Sequence, residues 1–529
     1  MDPERAAAND GDPKTNIITT YFTSKLSGTA LSLILNLMDS ETFGRLRCTN
    51  KAMNTKLGPI YLRHFFSSYE MAMDMAGLHH LDKISKDSTI CRYIRKIEFI
   101  PQPNKYWDDE RVQNLTTSQL VLESAIASGS FVLMLAAIMC RLPYLHKFTS
   151  VLPVEEERIL SSIYFYGPLA AAANAKSNIT HFDFEYMGEH YYYCETLRAA
   201  RGVACSALYM SESTRATLRP VLQGLKNLQL GLTAPFRFED KRIGQLKLDD
   251  RLPSPLSYLL SETPNLETLG LNFHNGFKWK EANMILHSLA ADFERGRELY
   301  AQGQALPVIS ELNPITDLPQ GQSPVILPSF PIQLSCLSSL ELVRTSVNEV
   351  VLLNLLDTLL PQLSSLSLEH ISLRVKETTH YQQKLQGVKT QVITYLSHEW
   401  HDMFLSLAAS SENVADKKID LHLHNLSLRN TASTWYTDTV SHIRFTRPSD
   451  TLSRGNDHDM DLENSSPTYK TTTSDRVSVF KVLAKSLIIN SIEMMRFGFV
   501  EDDCYSDFGD VDNNEPWVDT PYENHEMYA

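Results

Sequence analysis

A short pattern of alternating apolar positions recurs along this chain. It reads L-x-x-L-x-L, and several copies follow an apolar helical stretch that closes on a proline. The clearest copies are LPYLHKF (142–148), TPNLETLGL (263–271) and LPQLSSLSL (360–368). IRKIEF (94–99), ITHFDF (179–184), LKNLQL (225–230) and LSSLEL (337–342) follow the same plan, and KIDLHL (418–423) is a weaker copy. Alternation sends successive side chains to opposite faces of a strand. The Leu or Ile two or three residues earlier fills the turn into the strand, and the proline ends the helix before it. Helical spacing upstream predicts helices over Leu120–Leu142 and Val350–Leu360, the second with Leu352, Leu355, Leu356 and Leu359 on one face.

One helix and one short parallel strand per unit is the leucine-rich-repeat plan. The expected fold class is therefore α/β, an irregular leucine-rich-repeat solenoid of parallel strands alternating with helices over residues 67–446, with 477–500 closing its end. The spacing from Leu340 to Leu366 is of normal repeat size, whereas most other gaps are longer. The asparagine that usually ladders such repeats is absent, because His274, Thr345 and Ile371 stand at that offset. In each strand the residue between the two apolar positions should face the open, concave side. Those residues are Glu98, Asp183, Gln229, Gly270, Glu341, Ser367 and His422. They are mostly polar, uncharged or acidic, a surface suited to protein recognition and repellent to nucleic acid.

A second pattern occupies residues 26–66, LSGTALSLILNLMDSETFGRLRCTNKAMNTKLGPIYLRHFF. Leu31, Ile34, Leu35 and Met38 share one helical face, and Leu33 and Leu37 share another. A short helix apolar nearly all round must be covered from two sides. Asp39 or Ser40 is placed to cap a second helix with Phe43 and Leu46 facing inward. Gly58–Pro59 then predicts a stop and a third helix carrying Ile60, Leu62, Phe65 and Phe66. Three helices in about forty residues make a unit too small to hold itself together readily, so its surplus apolar face calls for a neighbour.

Composition narrows the function classes. The chain has 529 residues and a formal charge of −14. From Glu501 to the end there are ten acidic residues and no Lys or Arg, so the acidity is largely a property of the tail. Residues 1–24, 447–476 and 501–529 read as unstructured from their polar composition. Pro314, Pro319, Pro324, Pro328 and Pro331 mark a loop. A net acidic chain lacks the basic stripe that a nucleic-acid binder needs. The seven cysteines are scattered, and no pair is spaced as C-x-x-C, a pattern of reduced intracellular thiols. The first 25 residues lack an apolar stretch of signal-peptide length, and the longest apolar run, Phe131–Cys140, is too short to span a bilayer. An intracellular location, cytoplasmic or nuclear, without a membrane is expected.

Motifs for chemistry fail on their spacing. His398-Glu-Trp-His401 is one residue short of the zinc helix H-E-x-x-H. Asp457, Asp459 and Asp461 imitate a calcium loop, but Leu462 stands where Gly is required and Thr468 where Glu is required. His422 and His424 share a strand face without a Cys or carboxylate nearby in sequence. No phosphate-binding loop, dinucleotide fingerprint or nucleophile elbow is present. The cluster Tyr186, Tyr191, Tyr192 and Tyr193 reads as core or surface, with an interface as the sharper alternative. No catalytic residue, cofactor or metal is expected.

The segment 26–66 resembles a fungal-type F-box. Leu26, Ile34–Leu35, Asp39, Leu46–Arg47–Cys48, Pro59–Ile60–Tyr61 and Arg63–His64 align to the family's order without gaps. Ser27, Thr29, Ser40 and Asn50 stand where the family usually has Pro, Glu, Pro and Cys. The resemblance implies an F-box-like unit over 25–66 that docks a Skp-type adaptor of a cullin ubiquitin ligase through Leu26, Leu31, Ile34, Leu35, Met38 and Leu46. It further implies a non-enzymatic substrate receptor whose solenoid holds a protein substrate, with chemistry supplied by the recruited conjugating machinery. Two alternatives stay open: a leucine-rich scaffold whose F-box no longer docks, and a hydrolase with a site assembled from scattered residues.

Overall fold

In the computed structural model of the chain, the described residues are 37–48, 51–72, 74–100, 128–151, 158–185, 212–233, 255–273, 279–302, 332–375, 380–385, 388–393, 399–414, 417–430, 440–446, 465–466 and 468–490, with 33, 124–126, 203–204, 208 and 210. Residues 1–24 and 501–529, the proline-rich loop, the tyrosine cluster and the three aspartates of the calcium-like stretch lie outside them.

The N-terminal unit holds helices α1 (Ser40–Arg47) and α2 (Lys51–Phe66). Asp39 caps α1: its side chain accepts from the Thr42 N–H at 2.7 Å and the Thr42 hydroxyl at 2.9 Å. These bonds hold the Asp39 carboxyl below its ordinary range. The expected break at Gly58–Pro59 is corrected, because α2 runs unbroken through Pro59. Proline inside a helix costs about 3 kcal/mol through a lost hydrogen bond and a clash with the preceding turn. Packing on both sides of Pro59 offsets that cost. Phe43 and Leu57 form a buried pair, with Met38, Leu46, Ile60, Tyr61 and Phe65 packed against it. The Phe43, Tyr61 and Phe65 rings meet at centroid distances of 5.0 to 5.6 Å.

The rest is α/β, built on a mostly parallel sheet. Its strands are β1 (Ser68–Ala72), β2 (Lys96–Ile100), β3 (Lys147–Val151), β4 (His181–Glu185), β5 (Val203–Ala204), β6 (Asn227–Thr233), β7 (Thr268–Phe273) and β8 (Ser339–Val343). After the short strand β9 (Ser346–Asn348) the main sheet continues with β10 (Ser365–Glu369). Past β11 (Ser372–Val375), β12 (His380–Leu385) and β13 (Val388–Ile393) comes β14 (Ile419–His424). All eight copies of the L-x-x-L-x-L motif are strands of this one sheet. Strand order follows chain order from β1 to β14 along the sheet, with β5 beside β6, and neighbours pair in parallel.

Helices carry the connections. They are α3 (Met75–Ser85), α4 (Ser130–Met139), α5 (Arg158–Ala175), α6 (Glu212–Gly224), α7 (Pro255–Leu260), α8 (Trp279–Ala301), α9 (Glu349–Leu359) and α10 (Glu399–Ser410). The helix expected over 120–142 is corrected at its start. Gly129 turns left-handed with φ 73°, and the hydroxyls of Ser128 and Ser130 both donate to the Ala125 carbonyl. The chain is thus re-aimed before α4 begins. Residues Leu352, Leu355, Leu356 and Leu359 of α9 are buried, as their spacing requires.

The core lies between sheet and helices. Leu228, Leu269, Leu340, Leu366 and Leu421 stack in register across five strands, and each is at most 1% exposed. Burying one leucine fully contributes about 1.5–3 kcal/mol, so the recurring pair on each strand is what fixes its face.

Three corners beside the main sheet share one shape. Arg344, His370 and Asn425 follow β8, β10 and β14, each with positive φ (56°, 54° and 49°). Each corner leads into a strand of a second sheet: β9, β11, or β15 (Ser427–Asn430), which pair in parallel. Strand β16 (Val440–Thr446) extends this sheet antiparallel, with β17 (Ser465–Ser466) and β19 (Leu487–Asn490) against it. Strands β12 and β13 form a separate antiparallel pair. The reading of 447–476 as unstructured is corrected at its end. Strand β18 (Thr468–Thr473) pairs antiparallel with β14 and closes the main sheet. Its threonines favour extended backbone, and Tyr469 packs against Phe445 with ring centroids 5.5 Å apart.

Helix α11 (Arg476–Ser486) then lies against α10, with Phe480 stacked near Phe404. Arg476 is fully buried. Its guanidinium donates to the carbonyls of Lys417 (2.6 Å), Leu360 (2.7 Å), Leu363 (2.5 Å) and Lys418 (3.1 Å). Among the described residues no helix is long and apolar enough to cross a membrane.

Candidate functional site

Parallel pairing brings the outward-facing motif residues into one line. Glu98 pairs with Thr149, Thr149 with Asp183, Asp183 with Gln229, Gln229 with Gly270, Gly270 with Glu341, Glu341 with Ser367, and Ser367 with His422. The seven residues singled out in the sequence thus stand in a single row, joined by Thr149, which follows the LPYLHKF copy on the same strand. Glu98, Gln229, Glu341, Ser367 and His422 are half-buried. Asp183 and Gly270 are correctly placed in the row but are not open: Asp183 is 2% exposed, and the side chain of Gln229 lies over Gly270.

The row is knitted by polar contacts. Lys96 pairs with Glu98 at 2.5 Å, and Lys147 pairs with Asp183. Gln229 donates from Nε2 to Oε2 of Glu341 at 3.2 Å. His422 Nδ1 lies 3.1 Å from a Glu369 carboxylate oxygen, and the Ser367 hydroxyl donates to the same oxygen at 3.3 Å. Burial pushes the Glu341 carboxyl up, the Gln229 bond pulls it down, and the nearby Glu369 charge pushes it up further. His424, one outward position beyond His422, has its Nδ1 2.7 Å from the Thr468 hydroxyl of the closing strand.

A cavity of about 370 Å³ opens on this face. Lys147 and Asn227 line it from the row before, Asp183, Gln229 and Glu341 from the central row, and Gly231, Asn272, Val343 and Glu369 from the row after. The dent has a simple origin. Gly231 is an outward position without a side chain, and Gly270, diagonal to it, has room only for the overlying Gln229. Sequence reasoning took one outward residue per strand and so missed Lys147, Asn227, Asn272 and Glu369; it missed Thr149 because the LPYLHKF copy ends at Phe148. The period of two along each strand carries that signal.

A row of serines runs along the second sheet. Ser346, Ser372 and Ser427 stand in register on β9, β11 and β15. The Ser427 hydroxyl donates to that of Ser372 at 3.0 Å, and Arg374 Nε donates to the Ser346 hydroxyl at 3.0 Å. The offset residues Thr345 and Ile371 are buried beneath the corners. Trp400, from the zinc-like stretch, is also buried and donates from Nε1 to the Ser427 carbonyl at 2.8 Å. Its neighbour His401 bonds the adjacent Asp402. Among the described residues no group of His, Cys, Asp and Glu is placed to hold a metal ion.

Of the six residues assigned to adaptor docking, Leu26, Leu31, Ile34 and Leu35 lie outside the described residues. Met38 and Leu46 are half-buried and pack on the Phe43–Leu57 pair. Leu33 and Leu37, four apart, are 63% and 89% exposed. Comparison with known protein families finds no family model that matches this chain, and comparison with curated proteins finds no match.

Proposed function

We propose that the chain is a non-catalytic substrate receptor of a cullin-type ubiquitin ligase. In this reading the N-terminal helices form an F-box that docks a Skp-type adaptor. The parallel strands and helices form an irregular leucine-rich-repeat solenoid, and the outward row of its sheet holds a protein substrate. The observation that carries the reading is the unbroken row from Glu98 to His422, contributed by the strands that carry one recurring motif. A row of mostly polar side chains, uncharged or acidic, on a long sheet suits an extended protein partner. Exposed Leu33 and Leu37 beside a small self-packed helical unit support docking at that end, since paired large apolar side chains left in water favour a partner. The chain would contribute proximity, and the recruited conjugating machinery the chemistry.

The test is capture by a purified Skp-type adaptor, followed by mass spectrometry of material co-purified from cells with and without proteasome inhibition. The wild-type chain should bind the adaptor, and Leu31→Asp with Ile34→Asp should abolish binding while the melting of the sheet is unchanged. Wild-type chain that binds no adaptor would leave an interaction scaffold instead.

A further inference from the structure

The cavity on the outward face is overloaded with hydrogen-bond acceptors. Asp183 is 2% exposed, and its Oδ1 has no hydrogen-bond partner; Lys147 holds only its other oxygen. Asn227 and Asn272 line the same cavity, and their side-chain oxygens are buried and without partners. Glu341 and Glu369 add two more carboxylates, so three carboxylates face a single ammonium. Buried acceptors left unpaired cost free energy that a donor can recover. An anion would meet three like charges, and an apolar group would leave every acceptor bare.

We infer that this cavity seats the guanidinium of an arginine side chain presented by a protein partner. Guanidinium offers five N–H donors in one plane and no acceptor, the complement of a site rich in spread acceptors. Its weaker hydration lowers the cost of entering a half-closed site. Lys147 stays on Asp183 Oδ2, the arginine pairs with Glu341 and Glu369, and it takes up the buried Asp183, Asn227 and Asn272 oxygens as the side chains that cover them shift aside. The guanidinium assignment stands on the cavity itself; that a protein substrate presents it rests on the receptor reading above.

The experiment titrates the full chain with a capped Gly-Arg-Gly peptide and with its citrulline counterpart, which has nearly the same shape without charge, using saturation-transfer NMR. The arginine peptide should bind about tenfold tighter or more than the citrulline peptide, and Glu341→Gln with Glu369→Gln should erase most of that difference. Equal binding of the two peptides, no binding of either, or arginine binding indifferent to the double substitution would each overturn the assignment. The citrulline comparison changes only the ligand, so it stands even if a variant folds poorly. Adaptor capture is scored separately. Arginine binding without adaptor capture keeps the site and removes the ligase reading, whereas adaptor capture without arginine selectivity does the reverse.

Discussion

Gln229 reaches across a whole strand to hold Glu341. Its Nε2 donates to Oε2 of Glu341 at 3.2 Å, passing over Gly270 on the strand between them. A Cβ at position 270 would lie 1.5 Å from Gln229 Oε1. The glycine is therefore the gap through which two non-adjacent strands share a hydrogen bond.

Gly270→Ala should push the Gln229 side chain aside and break this bond. The backbone need not move, because the clash is with the end of a flexible side chain. A bond to a charged group is worth about 1.5–3 kcal/mol, part of which alanine's lower unfolded-state entropy returns. Thermal unfolding should show a loss of about 1 kcal/mol, and NMR should show the Gln229 side-chain amide released.

Glu341 predicts a pH effect with a definite sign. Its carboxyl is raised chiefly by burial. A raised value means that the folded chain holds the proton more tightly than the unfolded chain. The stabilisation is full below the ordinary glutamate range and is lost as pH rises through the folded value. Glu341→Gln keeps an acceptor for Gln229 and removes the buried charge. The variant should melt higher than wild type at pH 8, and the two curves should converge near pH 4. A variant less stable at pH 8 would refute the assignment of burial as the dominant cause.

Arg476 closes the C-terminal end of the fold by serving four carbonyls on two separate segments. Arg476→Ala leaves Leu360, Leu363, Lys417 and Lys418 without this donor. A loss of about 3–5 kcal/mol in denaturant unfolding is expected. Arg476→Lys should recover only part of it, since one ammonium cannot copy the planar fork.

Trp400→Phe tests the link between α10 and the serine row. It removes the donor to the buried Ser427 carbonyl and empties part of a site that is 1% exposed. Thermal unfolding should report a loss of about 2–4 kcal/mol.

Leu33→Ser with Leu37→Ser should behave in the opposite way. Both side chains are already in water, so stability should change by less than about 0.5 kcal/mol. On the receptor reading proposed above, binding of a Skp-type adaptor, measured by calorimetry, should fall sharply. Unchanged affinity would remove this face from the docking surface.

Much of the sheet was legible because each strand states its own face. Two leucines with one residue between them, as in Leu340–Glu341–Leu342, fix inside and outside without knowledge of any neighbour, and repetition of the motif named seven of the eight residues in the row from Glu98 to His422 as well. The leucines of α9 were legible for the same reason, with a helical period in place of two. What the sequence hid depends on distant partners. Pro59 signals a helix end locally, yet packing of Leu57, Ile60 and Tyr61 against Phe43 carries the helix through it. The threonines of β18 become a strand only because β14 offers an unpaired edge. Arg476 ends a stretch that reads as unstructured from its composition, and its role shows only once four carbonyls from elsewhere in the chain surround it. The cavity is of the same kind: alternation alone places each lining residue on the outward face, but only the alignment of neighbouring strands sets an empty Gly231 beside the unpartnered oxygens of Asp183, Asn227 and Asn272. Local periodicity decided which way side chains point, and tertiary pairing decided which of them meet.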